Sequence, residues 1–163
     1  MGVSVRRPAG FSLIEVLISA LLLMVIALGV LPIFLQAVAS NEVGREYMIV
    51  SNFAKSRAEE YAQKAFNSPA LTLTAGTQLV VKDYYSAKTR TWVPALTAGD
   101  LAMWTRTTTV RQFSFSDPAT PLAAGVPAGT IHVKEITVDV KGAKLGSIVG
   151  SGKQATVRMM KSQ

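Results

Sequence analysis

The sequence predicts an α+β protein: a long N-terminal helix, membrane-spanning in its first half and amphipathic in its second, packed on a C-terminal antiparallel β-sheet. Three observations carry that prediction. Residues 16–41 hold no charged side chain, which sets the N-terminal segment apart from the rest of the chain. Between Ser40 and Phe66, apolar residues recur every three or four positions, the period of one helix face. Beyond Pro69 the period falls to two and β-branched residues gather, as they do in strands.

The N-terminal element comes first. Val16 to Leu35 is 20 residues without a charge, interrupted only by Ser19, Gly29 and Pro32. A helix of that length spans about 30 Å, the thickness of a bilayer's hydrocarbon core. Arg6 and Arg7 precede it, so the positive-inside rule keeps the N-terminus cytoplasmic and exports the chain beyond the span. A cleaved secretory signal is the rival reading, since Ala37-Val38-Ala39 offers a cleavage site before Ser40. Against it, the apolar run is about twice the length of a signal's apolar core, roughly 7–15 residues. Glu15 near the start of the run also counts against it. A carboxylate in mid-membrane costs about 2.5–3.5 kcal/mol on insertion scales. Glu15 therefore either sits hydrated at the cytoplasmic interface or meets a cation at the same depth.

The second helical stretch has its apolar stripe at Val43, Tyr47, Val50, Ala54, Ala58, Tyr61 and Ala65, with most of its charges off that face. Asn67-Ser68-Pro69 ends it, because proline disfavours helical geometry in the residue before it. Pro32 and Gly29 are the helix's weak points. Strands are expected over Gln78–Ser86, Thr89–Val93, Met103–Phe115, Thr130–Val140 and Gln154–Lys161. The apolar phase slips by one at Lys134-Glu135, which predicts a bulge or break there. Residues 118–129 read as a surface loop and 142–152 as a turn region.

Composition narrows the function classes. The 163 residues suit one domain with an appended segment. The chain is 49% hydrophobic with a mean hydropathy of +0.31, and the excess lies at the N-terminus. Net charge is +7, but Lys and Arg are scattered with no run longer than Arg6-Arg7, so nucleic acid is not an expected partner. With no cysteine there is no disulfide, thiolate metal site or cysteine nucleophile. The single histidine, His132, stands alone in a strand pattern, and Asp83, Asp100, Asp117 and Asp139 are dispersed near turns and strand ends. Phosphate-loop, hydrolase-elbow and zinc-helix motifs are all missing. Neither an enzyme nor a cofactor is expected. Trp92, Trp104, Tyr84, Tyr85, Phe113 and Phe115 are expected to lie in the core.

Gly10-Phe11-Ser12-Leu13-Ile14-Glu15 resembles the processing motif of type IV prepilins and of the pseudopilins of type II secretion. The resemblance covers about the first third of the chain. It implies that a membrane-embedded prepilin peptidase cuts after Gly10 and that Phe11 becomes the N-methylated first residue. Glu15 then falls at the fifth mature position and Pro32 at the twenty-second, where the family often has a helix-breaking proline. Cleavage creates an α-amine on Phe11, largely protonated near neutrality. That amine is a partner for Glu15 of an adjacent subunit, a pairing that serves register more than raw stability.

The resemblance implies a cleaved leader (1–10) and a hydrophobic assembly helix (11–39), and the periodicity adds an amphipathic half (40–67) and a β-rich domain (68–163), expected to be exported. The resemblance also implies an inner-membrane precursor that enters a filament with other pilin subunits and the pilus assembly machinery. Within the family, the expectation is a minor pilin that primes assembly at the tip, with a type II pseudopilin as the alternative. An exported DNA- or surface-binding module is the reading from a different class.

Overall fold

The computed structural model describes residues 12–142 and 153–163, and the chain forms two compact units, residues 1–43 and 44–163. A single helix, α1, is assigned over Leu13–Gln63, 51 residues with Pro32 inside it. In the first unit its opening turn is set by the Ser12 carbonyl, which accepts from the amides of Glu15 (3.0 Å) and Val16 (3.2 Å). Pro32 has no N–H to give to the Leu28 carbonyl, so the hydrogen-bond ladder has one gap there. The large apolar side chains of this unit are exposed on every side, from 78% at Leu13 to 41% at Val43. Its most apolar 18-residue window has a mean hydropathy of 2.9, and the helix is long and apolar enough to cross a membrane.

The second unit contains the rest of α1, a 3-10 turn at Pro69–Leu71 and five strands. The strands are β1 (Leu79–Ser86), β2 (Trp92–Val93), β3 (Ala102–Phe113), β4 (Val133–Gly142) and β5 (Gln154–Ser162). They form one antiparallel sheet in the order β2-β1-β3-β4-β5. Alternation gives the sheet two faces. One carries Val110, Ile136, Val138 and Val140, all fully buried, and packs with Val50, Ala54, Ala58 and Tyr61 of α1. The small Ala54 and Ala58 at the centre of the stripe allow close approach of helix and sheet. Burying each large aliphatic here stabilises by about 1.5–3 kcal/mol. The other face is polar along its middle, with Thr105, Thr107 and Thr109 of β3 only half-buried, and apolar at the end that carries Phe113, Val133 and Met160.

Five sequence expectations are corrected. No bulge lies at Lys134-Glu135: β4 pairs with β3 and β5 in unbroken register. The phase slip arises because Lys134 takes an inner-face position ahead of Ile136, its amine donating to the Phe66 carbonyl in the turn that follows the helix. The register shift in the sheet is instead between Tyr85 and Ser86. The Thr89–Val93 strand shrinks to Trp92–Val93, since the preceding residues form a turn in which Arg90 adopts φ 54°. The apolar stripe is buried only from Val50 to Tyr61: Val43 and Tyr47 are exposed, and Ala65 lies past the helix end at Gln63. Asp83, expected beside a turn, sits inside β1 and is buried. Finally, the expected aromatic core is only partly realised, for Phe115 is 70% exposed. The turn region expected at 142–152 lies, beyond Gly142, outside the described residues.

Candidate functional site

The sequence singles out four residues for processing and assembly: Gly10, Phe11, Glu15 and Pro32. Gly10 and Phe11 lie outside the described residues. Glu15 falls in the first turn of α1, exposed, and no ion pair reaches it among the described residues. That position has its own electrostatics. The first-turn N–H groups lack intrahelical acceptors and the helix dipole is positive there, which favours a carboxylate by about 0.3–1 kcal/mol. Ser12 precedes Glu15 by three residues, the spacing of a capping box, a signal the sequence offers independently of any family likeness. Glu15 can therefore help to start the helix as well as meet a cation from outside. Pro32 lies 17 residues further along the same helix, within the exposed apolar stretch.

The second unit holds the helix to the sheet through three polar devices that sequence reasoning missed. In the first, the Asp83 carboxylate accepts from Arg106 of β3 (Nη2 2.8 Å, Nε 3.2 Å) and from Arg57 of α1 (Nη2 3.2 Å). Asp83 and Arg106 are register partners, and both side chains are about nine-tenths buried. Arg106 also lies 4.2 Å over the Trp92 ring, and Arg57 lies 4.7 Å over Tyr61 and pairs with Glu60 at 2.5 Å. Burial works to raise the Glu60 carboxyl, but Arg57 and Lys64 outweigh it and hold the group below its ordinary value. Beside this clamp, Phe53 meets Tyr85 (5.3 Å), Trp92 (5.3 Å) and Trp104 (5.9 Å) in one aromatic cluster.

In the second device, two lysines from neighbouring strands reach carbonyls in the last turn of the helix and in the turn just after it. Lys134 donates to the Phe66 carbonyl (2.7 Å) and Lys161 to the Ala62 carbonyl (2.5 Å). The two are register partners on β4 and β5. Cations at a helix C-terminus satisfy orphan carbonyls and oppose the negative end of the dipole. Burial pushes the Lys134 amine below the usual lysine value. The third device lies near the start of this helical half, where Lys153 pairs with Glu46 at 2.5 Å and lies 5.8 Å from the Tyr47 ring. Alternation alone would have placed Lys134 and Lys161 on the inner face. What no pattern discloses is that a helix terminus stands there to receive them.

The aim of these contacts is mechanical. They fix the amphipathic half of α1 to the sheet at its beginning, middle and end. The exposed apolar half of α1 offers a surface that water does not tolerate. Such a surface suits a bilayer, where hydrocarbon replaces water, or a bundle of similar helices. A family model described as the prokaryotic N-terminal methylation motif matches residues 5–31. No curated protein and no solved structure matches the chain. That motif, heading a long apolar helix, supports a type IV pilin-like protein.

Proposed function

We propose that the chain is a minor pilin of a type IV pilus: a structural, non-enzymatic subunit that helps to prime the filament at its tip. In this reading prepilin peptidase cuts after Gly10, Phe11 is methylated, and the precursor waits in the inner membrane as a single span. Extraction then passes its apolar helix into a bundle with other subunits, with Glu15 pairing to a neighbour's Phe11 amine. The observation that carries the reading is the methylation motif at residues 5–31 running directly into an exposed apolar helix. The lack of cysteine bears against a major-pilin role, since many major pilins carry a cysteine pair near the C-terminus.

A pseudopilin of type II secretion has the same motif and is the rival. Mass spectrometry of the mature N-terminus from the native host tests the shared part. A methylated Phe11 supports the reading, and a start at Ser40 ends it. Deletion then separates the rivals: loss of surface pili supports the minor pilin, whereas intact pili with failed protein secretion favour the pseudopilin.

A further inference from the structure

On the face of the sheet turned away from the helix stripe, the ends of β3, β4 and β5 and the loop after β3 enclose a cleft of about 360 Å³. That size is at the small end for ligand sites, roughly 300–1,000 Å³. Its floor and walls include Phe113, Val133, Phe115, Pro121 and Met160. Among the described residues of the second unit, Phe115 (70%) and Met160 (69%) are the most exposed large apolar side chains, and both line this one cleft. Isolated exposed apolar residues are ordinary, whereas two that converge on a concavity mark a binding surface.

The wall is held in place before any ligand arrives. Leu122 donates its N–H to the Gln112 carbonyl (2.7 Å), returning the chain to the sheet. Within the loop, Asp117 accepts from the amides of Ala119 and Thr120, both at 3.2 Å, and the Ser114 and Ser116 hydroxyls bond at 2.9 Å. The Phe115 ring packs against the His132 ring, their centroids 4.7 Å apart. A site ordered in this way loses little conformational entropy on binding.

Charge decides what it takes. Glu135, 5% exposed, is the carboxylate of the cleft and is engaged by Arg158. Arg111 stands opposite Glu135 in register yet makes no ion pair among the described residues. Its hydrogen bond is a long one, 3.4 Å, to the neutral Gln78 side chain. Two guanidiniums and one carboxylate thus line the cleft, and among the described residues Arg111 has only that one hydrogen bond. A guanidinium fork matches a carboxylate in bidentate geometry.

We propose that this cleft binds a small aromatic carboxylate, its ring between Phe115 and Met160 and its carboxylate on Arg111. The volume holds one ring and a short arm rather than a length of peptide. The site is independent of the filament reading.

The test uses the full chain in non-ionic micelles with ¹³C-labelled methionine methyls, titrated with 3-phenylpropionate and with its uncharged amide. The Met160 methyl moves saturably with the acid while the other methionine methyls stay in place. The amide binds about tenfold more weakly or worse, as loss of a charge-assisted pair requires. Arg111→Gln, at an exposed site, weakens the acid by a similar factor with the spectrum otherwise unchanged. Three results would overturn the proposal: a stationary Met160 signal up to about 10 mM acid, far beyond ordinary ligand affinities; equal binding of acid and amide; or Arg111→Gln binding like the parent.

Discussion

Asp83→Ala is the sharpest test of how the second unit is held together. The Asp83 carboxylate is the acceptor for three N–H groups on two guanidiniums, at 2.8, 3.2 and 3.2 Å. The Arg106 side chain is 9% exposed and that of Arg57 is 14% exposed, so removing the acid strands charge in a site that water does not reach freely. Arg57 keeps Glu60, but Arg106 keeps only the Trp92 face, worth about 0.5–2 kcal/mol. Breaking one side of a buried pair costs about 3–5 kcal/mol. At a urea slope of roughly 2 kcal/mol/M, the unfolding midpoint falls by about 1.5–2.5 M.

The assay is urea denaturation of the full chain in micelles, followed by fluorescence. The only two tryptophans, Trp92 and Trp104, lie in the aromatic cluster beside the clamp and report on it directly. A second variant, Asp83→Leu with Arg106→Met, recovers at least half of the loss, because apolar replacement of both partners leaves no stranded charge on that pair. A loss under about 1 kcal/mol in Asp83→Ala would place the cluster with ordinary surface pairs and refute the argument.

Three further outcomes are expected. Asp100 accepts from the Ser86 hydroxyl (2.5 Å) and from the amides of Leu101 and Lys88. The Ser86 bond above all holds its carboxyl below the ordinary 3.8, so its contribution is full above about that pH and lost as pH falls through the folded value. Acid titration of Asp100→Asn should therefore show a stability gap to the parent that closes at low pH; a gap constant with pH rules this out. Burial lowers the Lys134 amine from its ordinary 10.5, so the folded chain releases that proton before the unfolded chain does and stability from this group rises with pH up to that value. Urea midpoints of the parent should gain on Lys134→Met as pH rises toward 10.5, and parallel curves would count against a desolvated amine. Glu15→Gln should leave leader cleavage intact while impairing entry into filaments, read as precursor processing and filament content. Normal assembly would leave Glu15 with its helix-starting role alone.

The two halves of the chain were legible to different degrees. The strands were visible because alternation is forced on any sheet with one buried face, and their observed bounds differ from the expected ones mostly by one to three residues. The exceptions mark where a distant partner intervenes. At Lys134 the phase slip came from a polar residue that the inner face accepts because the Phe66 carbonyl, just past the helix, awaits it. At residues 86–91 a turn stabilised by Asp100 from across the loop displaced the expected strand.

By itself, the sequence determined the membrane-length helix, the processing motif, the helix-on-sheet class and the apolar stripe. Each rests on local periodicity or on contiguous residues, which need no knowledge of what lies nearby in space. Only the tertiary structure decided that Asp83 gathers Arg57 and Arg106, that two lysines hold the last helical turn and the turn after it, and that Phe115, Met160 and Arg111 share one cleft. Those residues are separated by up to 99 positions along the chain, as Ala62 and Lys161 are. Their energies depend on distance and dielectric in three dimensions, and a linear pattern encodes neither.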